Sequence, residues 1–467
     1  MSRFQKLLSL AIICLTITFV LTSCNNTTVS SDNGKYSENN YADENNTNVD
    51  NHAVSLTEIS QSGVISYDNF CLTRFGPYYT NTSGNLCIPF EYNSRYGYAD
   101  QNGNPVIENL SGSNILPHTL SEGLAFYQAD GNYYVIDAAG EKLFTLPDDV
   151  SPESFKNGTC VMLKKEHVPD SLFTYDYNVY VCLLDTNMNY MENKILLPDG
   201  MSIGQDNWYA INESGFQGAL GTYGSKTTDA QIAIVNSSGK IVTSFDANSA
   251  YQAAKSAFSF VNISASITHA AAVGLSDADL TKMIFFKNGY VNVMGENGKW
   301  GLINLQTEEL AIDYSYDYVG ACSDGLIPVC QYGIWGVIDI DGNMVIPCQS
   351  FKYIGAFTNG RALAISEDEN ICIIDKEGNI VSNVDVSVGA STLGGNTKSF
   401  FYTDFTEATH IACIYLYEKA YLISDSGEIL LSGKTDSYAS INTWLYMNND
   451  YLVFCGGEST SVYKINT

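Results

Sequence analysis

Lys299-Trp300-Gly301-Leu302-Ile303-Asn304 returns 35 residues later as Ile334-Trp335-Gly336-Val337-Ile338-Asp339, followed by Gly342-Asn343-Met344-Val345-Ile346-Pro347. Each copy is a short β-rich run ending in Asn or Asp, and in the second a Gly stands three positions after the Asp. Asp, Asn or Ser at the first position of a turn accepts backbone N–H bonds through its side chain. Gly at the fourth supplies the positive φ of a type I turn with a bulge. With apolar runs on both sides, the pattern predicts a β-hairpin.

The phrase recurs as Tyr98-Ala99-Asp100 with Gly103, Tyr134-Val135-Ile136-Asp137 with Gly140, and Ile234-Val235-Asn236 with Gly239. Ile373-Ile374-Asp375 with Gly378 and Leu422-Ile423-Ser424 with Gly427 follow. Turn anchors therefore fall at 100, 137, 185, 236, 304, 339, 375 and 424, with a ninth at Asn466. A second phrase alternates with the first: Glu122-Gly123, Asn157-Gly158, Asn288-Gly289, Asp324-Gly325 and Asn359-Gly360. Its last three glycines are 36 and 35 residues apart. A period of that size, with strands in every unit, marks a repeat architecture.

These residues resemble the WG β-repeat. The likeness is strong over 288–382, weaker at Tyr96-Gly97-Tyr98, where Tyr replaces Trp, and weakest near Asp185 and Asn236. The resemblance implies an extracytoplasmic, repeat-built β protein. It brings no catalytic residues and no ligand with it.

The two ends complement each other. Gly63-Val64-Ile65-Ser66-Tyr67-Asp68 reads as the second half of a unit, and Tyr451–Phe454 with Val462–Asn466 as a first half. The expected fold is all-β: a propeller-like array of seven to nine blades, its terminal strands sharing one blade so that no long edge is left exposed. An open β-solenoid and two packed β domains are the alternatives. The long interval from Asn236 to Asn304 predicts a helical insertion at about 247–284, with helices over Ser249–Phe258 and Ser276–Met283 and Ser276 as an N-cap. It reads as an excursion on the surface of the array. The intervals 137 to 185 and 185 to 236 are also long and predict extended loops.

The chain opens with Arg3 and Lys6, an apolar run from Leu7 to Leu21, and Leu21-Thr22-Ser23-Cys24. This resembles a bacterial lipoprotein signal peptide, with residues 1–23 removed and Cys24 diacylated; an uncleaved membrane anchor is the alternative. Two acyl chains give stable anchoring where one is marginal. The expected location is the extracytoplasmic face of the cell membrane, with the membrane as a partner through lipidated Cys24. Residues 24–55 are rich in Asn, Ser, Asp and Thr and have little to bury, which predicts a disordered tether before the domain at 56–467.

The 467 residues carry 51 acids against 23 bases, a net charge of −28. That balance argues against nucleic acid as a partner, because phosphate binding needs clustered Lys and Arg. Of 12 cysteines, ten follow Cys24, none in a C-x-x-C pair, and several lie in apolar runs. Mostly free, buried thiols are expected, with Cys322–Cys330 and Cys71–Cys87 the pairs to test for disulfides.

Motifs that carry chemistry are scarce. The five His are scattered, and neither H-E-x-x-H nor G-x-S-x-G occurs. Gly389 to Gly394 has phosphate-loop spacing, but Gly395 stands where Lys is needed. Asp339-Ile340-Asp341-Gly342-Asn343 resembles the opening of a calcium loop, yet Ser350 replaces the distal Glu, so the turn is read as structural. No catalytic residue, metal ligand or cofactor is expected. Trp300 and Trp335 are read as core wedges before sugar platforms. Tyr78-Tyr79, Tyr314-Tyr316-Tyr318 and Tyr415-Tyr417-Tyr421 are the surface candidates, and alternation places 314, 316 and 318 on one strand face, as a packed ladder or a platform.

The ligand-binding residues stay unassigned at this stage. The expected function is a binding or scaffold module for a peptide, glycan or envelope protein, without catalysis. The rivals are a glycan-cleaving hydrolase with carboxylates at the propeller centre and a purely structural envelope component.

Overall fold

The turn chemistry does what the spacing predicts. The carboxylate Oδ1 of Asp137 accepts the N–H groups of Ala139 and Glu141, both at 2.9 Å. Gly140 sits at φ 84° and donates its N–H to the Asp137 carbonyl at 3.0 Å. The same bonds recur at Asp185, Asn236 and Asp375, and in part at Asn304, Asp339 and Ser424. At Asp185 the left-handed position belongs to Met188 instead of Gly, at φ 66°. Its side chain packs against the neighbouring core, which offsets the strain.

The second phrase forms two-residue turns with both central residues left-handed: Asn157 and Gly158 at φ 53° and 78°, Asn288 and Gly289 at 51° and 80°, Asn359 and Gly360 at 51° and 77°. This is the type I′ geometry whose twist matches paired strands. Alternating the two turn types gives an antiparallel four-stranded meander.

The computed structural model describes residues 54–62, 88–258, 283–387 and 400–466, apart from short stretches within those ranges. Among the described residues the strands form eight sheets, one of them seven-stranded. In that sheet the strand Met344–Ile354 pairs through Val337↔Ile346 with the strand before it and through Ile354↔Ala364 with the strand after it, so it ends one blade and begins the next. The chain thus builds nine blades from its described residues: 1 (88–107), 2 (124–145), 3 (150–194), 4 (208–246), 5 (286–316), 6 (318–346), 7 (351–387), 8 (400–434) and 9 (443–466).

Blade 9 is completed by the other end of the chain. Strand Ser55–Ser62 lies antiparallel to Ser459–Asn466, from Ser55↔Asn466 to Ser62↔Thr460. The terminal strands share one blade, as expected, but the N-terminal partner is Ser55–Ser62; residues 63–68 lie outside the described residues. The strand also begins one residue inside the segment expected to be tether, and Val54 before it is already buried. Nine blades is the upper end of the expected range, and Asn466 holds the ninth anchor position.

Trp300 and Trp335 are fully buried, as the core reading required. Trp300 packs on Phe245 and Tyr318, and Trp335 on Tyr353 and Phe258, with ring centroids 4.7–5.8 Å apart. The glycine after each Trp serves close approach. A Cβ on Gly336 would lie 2.5 Å from the Ile346 carbonyl oxygen, and one on Gly301 2.4 Å from that of Ile312. Each Gly lets the fourth strand of its blade cross tightly beside the Trp.

Two expectations need correction. The insertion does form a helix, Ala247–Ala257, capped by the Asp246 side chain on the Ser249 N–H. It is not a surface excursion: Ala247, Ala250, Tyr251, Ala254 and Ala257 are buried in the main core. Phe258, just past its end, touches Tyr318, Trp335 and Tyr353, and the Trp335 indole N–H donates to the Ala257 carbonyl at 3.1 Å. A helix of small residues lies flat against an aromatic layer because it has no bulk to hold it away. The segment 276–282 of the second expected helix lies outside the described residues. Secondly, the interval 137 to 185 is long in part because blade 3 has nine-residue strands, Thr159–His167 and Tyr177–Asp185, and not from loops alone.

Cys182, Cys322, Cys330 and Cys372 are free and buried, Cys160 is buried as well, and Cys348 is free and partly exposed. Burial pushes the Cys322 thiol up to about 11 and that of Cys330 to about 12, so neither is a ready nucleophile. Cys71 and Cys87 lie outside the described residues.

Candidate ligand-contact surface

Successive turns of a meander alternate between its two ends, so the nine blades present two chemically different faces. One end carries the type I′ turns and the Asx turns. Its polar groups are largely engaged in joining blades. Glu122 accepts the Gly158 N–H at 2.8 Å and Asp324 that of Gly360 at 2.7 Å, each from one blade to the next. Asn212 donates to the Lys156 and Thr159 carbonyls, Asn288 to that of Cys322, and Asn359 to that of Glu407. Lys156–Glu213 and Lys287–Asp404 add ion pairs at 2.5 and 3.3 Å. His410 sits here as well, its Nδ1 2.6 Å from Asp425 and its Nε2 3.3 Å from the Asn359 amide.

The Asp339 carboxylate is likewise engaged, here within its own turn. Its two oxygens take the backbone N–H and side-chain amide of Asn343, at 2.7 and 2.9 Å. The structural reading of that turn stands on those bonds. Among the described residues no group of three His, Cys, Asp or Glu is placed to hold a metal ion.

The opposite end carries the turns between second and third strands. In blade 2, which has three described strands, the equivalent turn joins the first two and is Asp130-Gly131, at φ 51° and 85°. In blade 6 it is Tyr332-Gly333, at φ 55° and 77°. Asp suits the left-handed region because its short side chain bonds locally; a bulky ring does not. Burial does not explain the Tyr either, since Tyr332 is 86% exposed.

The turn is braced from below. Asp317, in the crossing from blade 5 to blade 6, accepts the Tyr332 N–H at 2.6 Å on one oxygen and the Lys299 ammonium at 2.5 Å on the other. Partial burial of Asp317 favours its neutral form, but the Lys299 and Tyr332 bonds outweigh this and hold its carboxyl below the ordinary value. The Lys299 ammonium is raised by the same bond. Both groups stay charged near neutral pH. Ile334, 38% exposed, flanks the turn.

Of the tyrosines singled out by alternation, Tyr318 is wholly buried, with its hydroxyl bonded to the Met283 carbonyl. Tyr314 and Tyr316 are half-buried, and Tyr314 lies over Gly295 and Gly301. The packed-ladder alternative holds for Tyr318 and Tyr314. Tyr421 is half-buried, the side chains of Tyr415 and Tyr417 are outside the described residues, and so are Tyr78 and Tyr79. Sequence reasoning missed Tyr332. The available signal was Tyr immediately before Gly between two apolar runs, a turn position that normally takes Asn or Asp.

The WG containing repeat matches residues 300–333 and 335–366, so the chain carries this repeat in blades 5 to 7. No curated protein matches the chain by sequence. Similar solved structures include BamB from Moraxella catarrhalis, 10% identical over 81% of this chain and 99% of that one, with a TM-score of 0.34. Sqt1 from Saccharomyces cerevisiae is 10% identical over 88% and 98%, with a TM-score of 0.40. The C-terminal WD40 domain of Sif2 is 10% identical over 74% and 94%, with a TM-score of 0.37. The propeller-like assignment rests on the strand pairing of this chain.

Proposed function

We propose that this WG-repeat chain is a lipid-anchored extracytoplasmic binding protein, which holds a partner at the Tyr332 turn and catalyses no reaction. The observation that carries the reading is an exposed aromatic ring kept in an unfavourable backbone conformation by a dedicated carboxylate. Departures from local preference without a packing return concentrate at functional sites. The N-terminal pattern ending at Cys24 supports the anchor, and the net charge of −28 disfavours nucleic acid.

The fold adds a direction. The chain enters the ring at Ser55, opposite Asn466, which is the position where other blades make their Asx turn. Ser55 therefore lies at the end bearing those turns, and Tyr332 stands at the other end. The partner is a peptide, glycan or envelope protein.

Two measurements test this. Labelled palmitate should enter the wild-type chain and not Cys24→Ser. A photo-crosslinking amino acid at position 332, in intact cells, should capture a partner that the same group at Leu143, exposed on blade 2, does not. Equal capture at the two positions would remove Tyr332 from the binding surface.

A further inference from the structure

The geometry points to an uncharged glycan as the ligand of the Tyr332 surface, an inference that rests on the binding reading above. The described left-handed residues other than Gly are Glu, Asp, Asn, Met, His and this one Tyr. Exchanging Tyr332 for Asn or Asp would ease the turn and cost no buried contact, since the ring is 86% exposed. What the Tyr supplies is a flat apolar face standing clear of the surface, on a turn whose N–H is bonded to Asp317.

Three features select the ligand class. First, beside the turn lies the Asp317–Lys299 pair, with side chains 31% and 40% exposed; the bonds from the Tyr332 N–H and the Lys299 ammonium use one lone pair on each Asp317 oxygen and leave one on each. A saccharide has an apolar C–H face and a rim of hydroxyls that both donate and accept. It can lie on the ring and bond both neighbours. Secondly, Asp317 and Lys299 neutralise each other, so the site has no net charge to recruit an ion. The chain's net charge of −28 disfavours anionic ligands. Thirdly, a stable protein interface needs upwards of about 1,000 Å² of buried surface with an apolar centre. The exposed apolar residue beside the ring in sequence is Ile334 alone, whereas Leu143, Met191, Met344, Val345, Ile380 and Val381 lie on the last strands of their blades. One ring with paired hydrogen-bonding flanks fits a sugar better than a protein face.

The test is calorimetric titration of the detergent-solubilised full chain with chitohexaose, cellohexaose and maltohexaose. At least one should bind, with an affinity that changes less than about twofold between low and high salt, as expected without a charged ligand. Tyr332→Ala should weaken binding about tenfold, and Tyr332→Trp should retain it, since stacking is the lost contribution. Thermal unfolding of Tyr332→Ala at or above the wild-type temperature would show that the variant folds. Failure of all three sugars, or wild-type affinity in Tyr332→Ala, overturns the glycan assignment. If the sugars fail while the group at position 332 captures a protein in cells, only the ligand class is wrong. If neither binds, the binding surface itself is wrong.

Discussion

At the scale of single residues, glycine does two separable jobs here. Gly336 lies where a Cβ would meet the Ile346 carbonyl at 2.5 Å and the Cys348 N–H at 2.8 Å. Gly336→Ala should therefore cost about 2 kcal/mol by forcing strands apart. Gly325 has open space around it but φ of +73°. Gly325→Ala should cost about 1 kcal/mol through strain, and Gly325→Asn less, because Asn tolerates that region. Denaturant unfolding of the three variants checks the ordering. A second prediction concerns His118. The rings of Phe126 and Tyr133 enclose it, though part of its surface stays accessible, and burial lowers its pKa from 6.5 to about 4. Between those values the unfolded chain binds a proton that the folded chain refuses. The contribution is fully present above about pH 6.5 and is lost as pH falls toward 4, by about 1–2 kcal/mol once partial exposure is allowed for. His118→Gln should flatten that part of the stability–pH curve. The Asx turns were legible because the bonds are local. Tyr332 was not read as a site, because its meaning depends on exposure, which no spacing reveals.

At the scale of elements, the helix Ala247–Ala257 shows how tertiary packing reassigns a segment. The sequence expectation of Ser249–Phe258 falls within two residues of the observed helix at either end. Its place was not readable. Four alanines on one side fit a solvent-facing helix or a tight contact equally well until the partner is known, and the partner is an aromatic layer assembled from blades 5 to 7. Buried Asn292 ties the far end of the insertion to the ring, donating to the Met283 and Val319 carbonyls and accepting the Phe285 N–H. Trp335→Phe removes the indole N–H from the Ala257 carbonyl and leaves that acceptor unpaired. A loss of about 1–3 kcal/mol is expected, with faster amide exchange over 250–258 than over blade 3. Unchanged exchange in the helix would mean that the indole bond does not hold it.

For the whole molecule, the closure of the ring is the decisive contact. Asn466 holds the anchor position of an Asx turn at the end of strand Ser459–Asn466. Its amide reaches across the break to the Ser55 hydroxyl at 3.3 Å and the Thr57 hydroxyl at 3.0 Å. The side chain that elsewhere organises a turn here clasps the two ends. Asn466→Ala should lower the unfolding midpoint modestly, by about 1 kcal/mol, and a chain lacking 55–62 should lose much more. That deletion exposes the edge of strand Ser459–Asn466, and concentration-dependent association measured by light scattering is the expected result. A truncated chain that stays monomeric and melts like wild type would show that the ring does not depend on its clasp.

The repeat, its Asx turns and the Trp wedges could be read from the residues alone, because each is fixed by contacts within a few residues or by a period of about 35. Only the tertiary structure decided the blade count, the strand that closes the ring, the burial of the insertion and the exposure of Tyr332. Those depend on which distant surfaces meet and which are left uncovered, and local composition is the same in either case.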